Sequence, residues 1–168
     1  MEQDQPNPTG IYGKSKRLGE INVMNLTHRF FILRIQWLYG THGKNFVKTM
    51  LSLAKSQPSL KVVNDQFGSP TYTRDVAAAI NEMIQTNAYG IYHVSNSGFC
   101  SWYQFTKDIL EVAGINTPIN PCTTEEFPRP AKRPAFSVLD NTYFQASGFT
   151  PLRNYKEAMR DYLKEELI

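Results

Sequence analysis

The run Phe30-Phe31-Ile32-Leu33-Arg34-Ile35 constrains this chain more than any other stretch. It has the length of a strand, and aromatic and β-branched side chains dominate it. A strand with one wet face alternates apolar and polar residues, and this run hardly alternates. Near-continuous apolar sequence is expected of a strand covered on both faces, as in the parallel sheets of α/β proteins. The rest of the chain supplies the other parts of such a fold. Residues 3–10, with Pro6 and Pro8, are polar and predict a loop. A helix follows from Thr9 or Gly10 to about Leu26, its apolar positions Ile11, Leu18, Ile21 and Met24 or Asn25 only loosely spaced. Gly40 and Gly43 punctuate a loop, a helix runs from Lys44 or Asn45 through Ala54, and residues 60–63 form a short strand. Residues 64–70 are dense in turn formers.

Thr73 is expected to cap a helix over 74–85, with Asp75 in its first turn. Residues 91–94 predict a strand, closed by Asn96-Ser97-Gly98. Ser101 is expected to cap a helix over 102–112 that Gly114 ends. Residues 116–134 read as a long loop holding one short strand, and 140–147 as a short helix before Gly148. A terminal helix over 155–167 carries Tyr155, Met159, Tyr162 and Leu163 on one side. Strands alternating with helices predict α/β architecture.

With 168 residues there is room for one domain, or one and a fragment, and 41% hydrophobic residues suffice for a core. A wholly disordered chain is excluded. No apolar run approaches the roughly 20 residues of a membrane-spanning helix, and the polar N-terminus has no apolar signal segment. Cys100 and Cys122 make no disulfide framework and fit a reducing, cytoplasmic setting. The net charge of +3 is dispersed, so nothing points to nucleic acid. His28, His42 and His93 have no metal-ligand spacing, so no metal is expected.

The sharpest local feature is Tyr12-Gly13-Lys14-Ser15-Lys16. On a helix, residues four apart share a face. A phenol titrates near pH 10, and a neighbouring ammonium favours its phenolate, which suits proton transfer to a carbonyl or alkoxide. The other reading is a surface Tyr and Lys four apart by chance.

These residues also carry a resemblance. Tyr12-Gly13-Lys14-Ser15-Lys16-Arg17-Leu18-Gly19-Glu20 resembles the catalytic helix of the extended short-chain dehydrogenase/reductase superfamily, and Leu33-Arg34-Ile35-Gln36-Trp37-Leu38-Tyr39-Gly40 is similar to the strand and loop after it. Five further blocks, among them Val63-Asn64-Asp65-Gln66-Phe67-Gly68-Ser69-Pro70-Thr71-Tyr72, Cys100-Ser101-Trp102-Tyr103 and Arg133-Pro134-Ala135-Phe136-Ser137, are similar in order to the dTDP-4-dehydrorhamnose reductase family. The resemblance runs from about residue 6 to the C-terminus. It implies the C-terminal part of a Rossmann-like NAD(P)-binding fold plus a small α/β substrate-binding region. Residues 1–58 would hold the last elements of the Rossmann-like domain and the catalytic helix. Residues 59–168 would mainly bind the sugar nucleotide, with 90–96 returning to the sheet.

The implied reaction is reduction of the 4-keto group of dTDP-6-deoxy-L-lyxo-4-hexulose by NADPH or NADH, giving dTDP-L-rhamnose for cell-surface polysaccharide. Tyr12 would be the proton donor, and Lys16 would tune it and hold the cofactor ribose. Ile35 and Gln36 would meet the cofactor, standing where the family commonly has Thr and Ser. Trp37, Asn45, Gln66, Tyr72 and Arg133 would bind the dTDP-sugar. Asn45 and Gln66 could equally serve turns or caps, and Tyr72 and Trp102 could simply pack. Arg129, Lys132 and Arg133 could meet a diphosphate or form a solvated basic loop.

The glycine-rich phosphate turn of a dinucleotide fold is not in this sequence. The nearest stretch, Gly40-Thr41-His42-Gly43-Lys44-Asn45-Phe46, places Phe46 where helix packing demands a small residue. The family's carbonyl-polarising Ser or Thr would precede residue 1. The chain is therefore expected to be inactive alone and to bind NAD(P)H weakly, and its uncovered strand to favour a homo-oligomer. The alternative is a non-catalytic binding or regulatory module of the same superfamily.

Overall fold

The computed structural model describes residues 1–128, 131 and 133–166; Arg129, Lys132 and the predicted helix end at Leu167 lie outside the described residues. Helix α1 spans Ile11–Leu26. Its loose apolar spacing has a structural counterpart: no side chain of α1 is buried, and Ile11 and Leu18 stand exposed. Strand β1, Phe31–Arg34, follows. All four residues of β1 are half-buried, as expected of a strand left partly uncovered; its one partner among the described residues is β6, Gly90–His93, in parallel register from Phe31 opposite Gly90 to Arg34 opposite His93.

Three more two-stranded pairs follow the same non-local plan. β2 (Leu38–Tyr39) pairs in parallel with β5 (Thr71–Tyr72), β3 (Leu60–Val63) in parallel with β8 (Ile119–Cys122), and β4 (Phe67–Gly68) antiparallel with β7 (Cys100–Ser101). β8 is the strand expected within the loop over 116–134.

Helix α2, Phe46–Ser56, starts at Asn45, whose Oδ1 accepts the Lys48 backbone N–H at 3.1 Å. Helix α4, Trp102–Val112, is capped the same way by Ser101 Oγ, which accepts from Gln104 N–H at 3.0 Å. Helix α3, Thr73–Met83, departs from the sequence expectation at both ends. Tyr72 holds the cap position and Thr73 is already helical, without a side-chain cap. Its hydroxyl lies against Gly40, where an added Cβ would sit 2.1 Å from Oγ1. The helix stops at Met83 because Gln85 and Thr86 turn back onto the Glu82 and Met83 carbonyls. The short helix α5 (Thr142–Ala146) and the terminal α6 (Tyr155–Glu166) complete the chain.

Two apolar cores result. The larger gathers Val47, Leu51 and Ala54 of α2, Leu60 and Val62 of β3, Phe105, Ile109 and Leu110 of α4, and Tyr155, Met159, Tyr162 and Leu163 of α6. Each fully buried Leu or Ile contributes about 1.5–3 kcal/mol relative to exposure. This core runs across residue 58, so α2 packs with the elements after it. The smaller core joins α3, β6 and α5 through Met83, Tyr92, Phe144 and Phe149. Between α1, the end of β1 and the loop bearing Arg133 lies an open cleft.

Candidate active site

The cleft encloses about 870 Å³, and Tyr12, Lys16, Ile35, Gln36, Trp37, Gln66 and Arg133 all line it. Seven residues singled out from sequence thus come together. Tyr12 and Lys16 meet one helical turn apart at the rim, with Lys16 Nζ 5.5 Å from the centroid of the Tyr12 ring. Tyr12 is 76% exposed.

One turn further along α1, Glu20 accepts a two-pronged hydrogen bond from Arg34, Nε to Oε1 and Nη2 to Oε2, each 2.8 Å. Arg17 Nη1 donates to the same carboxylate at 2.8 Å. Arg34 first, and Arg17 after it, hold the Glu20 carboxyl below its ordinary range. The fork joins α1 to the C-terminal end of β1. For a helix with no buried side chain it is the strongest described tie to the body. Sequence reading passed over this pair, although two signals were present. Glu20 follows Lys16 by four on one helix face, and Arg34 is a charge inside an apolar run, which requires a partner.

Gln36 sits beside Trp37 with its Oε1 accepting from Ser137 Oγ at 2.9 Å. Its Nε2 is buried and has no hydrogen-bond partner among the described residues. A buried amide N–H without an acceptor is costly. Tyr12, Lys16, Ile35 and Gln36 share the side of the cleft on which the nicotinamide end of a dinucleotide would lie. The pyrophosphate end has no counterpart in Gly40–Phe46. There Asn45 Nδ2 donates to the Gly40 carbonyl at 2.8 Å, and the Phe46 ring packs on Trp102 and Phe105.

A second cavity of about 590 Å³ adjoins the cleft. Phe46, Met50, Leu53 and Leu60 make it apolar, and Gln66, Trp102 and Arg133 line both spaces. Gln66 is buried and donates through Nε2 to Thr124 Oγ1 at 3.0 Å, while Arg133 is exposed at the mouth.

The structure places two predicted substrate residues elsewhere. Asn45 has both side-chain ends engaged, one in the α2 cap and the other on the Gly40 carbonyl and the Tyr162 hydroxyl. Tyr72 is buried in the larger core's aromatic group, stacked against Tyr39, with its hydroxyl donating to Glu165 at 3.0 Å. Neither lines the cleft. Both cysteines are buried, and burial pushes the Cys100 thiol up to about 12. Among the described residues no helix is long and apolar enough to cross a membrane, and no three His, Cys, Asp or Glu side chains group as metal ligands.

The family model of the RmlD substrate binding domain matches residues 1–168. The chain belongs to this family. Within the RmlD family it is 49% identical over 164 residues to the spore coat polysaccharide biosynthesis protein SpsK of Bacillus subtilis, a match covering 98% of this chain and 57% of that protein. It is 42% identical over 163 residues to the dTDP-4-dehydrorhamnose reductase of Aggregatibacter actinomycetemcomitans, covering 89% of this chain and 55% of the relative. The fold superposes on the dTDP-4-dehydrorhamnose reductase of Bacillus anthracis, solved in complex with NADP, with a TM-score of 0.95 and 43% identity over 98% of this chain and 58% of that one. The RmlD-family chain thus spans little more than half the length of the relatives it matches, and the expected α/β, Rossmann-related architecture holds.

Proposed function

We propose that this chain carries the proton-donating helix and the sugar-nucleotide site of an NAD(P)H-dependent dTDP-4-dehydrorhamnose reductase. The observation that carries the reading is the meeting of Tyr12 and Lys16 at the rim of a cleft whose other walls are an indole, a buried amide and a guanidinium. The nicotinamide group supplies the hydride when bound. Tyr12 gives its hydroxyl proton to the substrate's 4-oxygen as the carbonyl becomes an alcohol. Lys16 hydrogen-bonds the ribose and sets a positive charge beside the phenol. Ile35 and Gln36 line the wall against the nicotinamide end. Trp37 walls the sugar, and Arg133 meets the diphosphate. The apolar second cavity suits the thymine ring. The product, dTDP-L-rhamnose, would feed polysaccharide assembly, in keeping with the name carried by the Bacillus subtilis relative.

By the same reading the 168-residue chain is inactive alone, since Gly40–Phe46 forms no phosphate cradle. A non-catalytic module is the second reading, favoured by one observation: α1 has no buried side chain. One experiment separates them. The chain is fused behind the dinucleotide-binding half of the Bacillus anthracis reductase and supplied with NADPH and the 4-keto sugar nucleotide. Substrate-dependent NADPH oxidation supports the reductase. A folded fusion that binds the sugar nucleotide without turnover supports the module.

A further inference from the structure

The chain has two tryptophans, and they stack on each other, ring centroids 3.4 Å apart and planes within 9°. The backbone fixes both. Trp102 is the first residue of α4, directly after the Ser101 cap. Phe46, likewise the first residue of α2 after the Asn45 cap, tilts onto Trp102 at 4.4 Å. Trp37 lies beyond β1 at φ 45°, the one non-glycine residue with positive φ among the described residues. A bulky residue there is strained and persists only where its surroundings over-determine it. Here the surroundings are Trp102 on one indole face and Gly68 along the nitrogen edge, where an added Cβ would stand 2.3 Å from Cε2. Trp37 lines the larger cleft, and Trp102 lines both cavities.

We propose that Trp102 is a positioning residue. It holds the Trp37 indole so that the opposite face meets the sugar, and the stacked pair partitions the sugar compartment from the apolar one. A preformed wall of this kind removes the ordering cost that a free indole would impose on binding. The role rests on the sugar-nucleotide reading above.

Two measurements on the 168-residue chain test it. Two coupled indoles give an exciton couplet in far-ultraviolet circular dichroism that a lone indole lacks. Calorimetric titration with dTDP-L-rhamnose reads the site. The wild type is expected to show the couplet and to bind. Trp102→Phe loses the couplet yet keeps a ring against Trp37, and its affinity stays within about threefold. Trp102→Leu lowers affinity about tenfold. In a Trp37→Leu background the same substitution costs nothing further, as a residue acting through Trp37 requires. Thermal unfolding confirms that each variant is folded. Unchanged affinity in folded Trp102→Leu, or an equal further loss in the Trp37→Leu background, overturns the positioning role. A wild type without a couplet overturns the stack. A couplet without dTDP-L-rhamnose binding overturns the sugar-nucleotide reading and the role with it.

Discussion

Tyr12 stands largely in solvent, so its substitution by Phe removes a proton and little packing. In the fusion described above, Tyr12→Phe is expected to lower kcat by about 10²–10⁴-fold with sugar-nucleotide KM nearly unchanged. Lys16→Met is expected to lower kcat and also raise the KM for NADPH, because its ammonium has a second partner in the ribose. Steady-state kinetics distinguish the two patterns, and near-normal turnover in Tyr12→Phe removes the phenol from the mechanism. Glu20 gives a pH test. Its carboxyl is held below its unfolded value by Arg34 and Arg17. That stabilisation is therefore complete above the unfolded value and lost as pH falls towards the folded one. Between about pH 5 and about pH 3 the melting temperature of wild type should fall further than that of Glu20→Gln. A parallel decline would show that the fork adds nothing. At this scale the sequence was legible where chemistry is local, as in Tyr12 and Lys16. It was misleading at Tyr72, because an aromatic ring reads alike whether it lines a cleft or fills a core.

Elements were legible where caps were strong. Ser101 and Asn45 announced α4 and α2, and both oxygens accept the expected backbone N–H. Thr73 misled because the helix begins at Thr73 itself, one residue before the expected start, with that side chain taken up against Gly40. Asn45→Ala should cost about 1 kcal/mol for the lost cap, with the Gly40 carbonyl and Tyr162 hydroxyl losing a donor besides. Denaturant unfolding measures it, and a loss below about 0.5 kcal/mol would mean that the cap is redundant. The half-buried state of β1 was not readable from its own residues, since covering depends on neighbours that no local pattern names.

At the scale of the whole molecule, affinity for the dinucleotide should be weak. The amides that grip a pyrophosphate belong to a glycine-rich turn, and Gly40–Phe46 has Phe46 where that turn needs a small residue, its ring packed on Trp102 and Phe105. Titration of the 168-residue chain with NADPH should show no micromolar binding, and such binding would reveal a phosphate site elsewhere. The bare helix α1 exposes Ile11, Leu18 and Leu26, and Ile35 stands exposed just after the half-buried β1. Sedimentation should therefore show concentration-dependent association, and a monomer over a wide concentration range would speak against it. The strand pairing bears on how such a molecule is made. Among the described residues no strand pairs with its sequence neighbour, and β1 must find β6. During synthesis at about 5–20 residues per second, the stretch from Arg34 to His93 takes several seconds to appear. For that interval the β1 edge that β6 later takes stays open, a natural client for a chaperone.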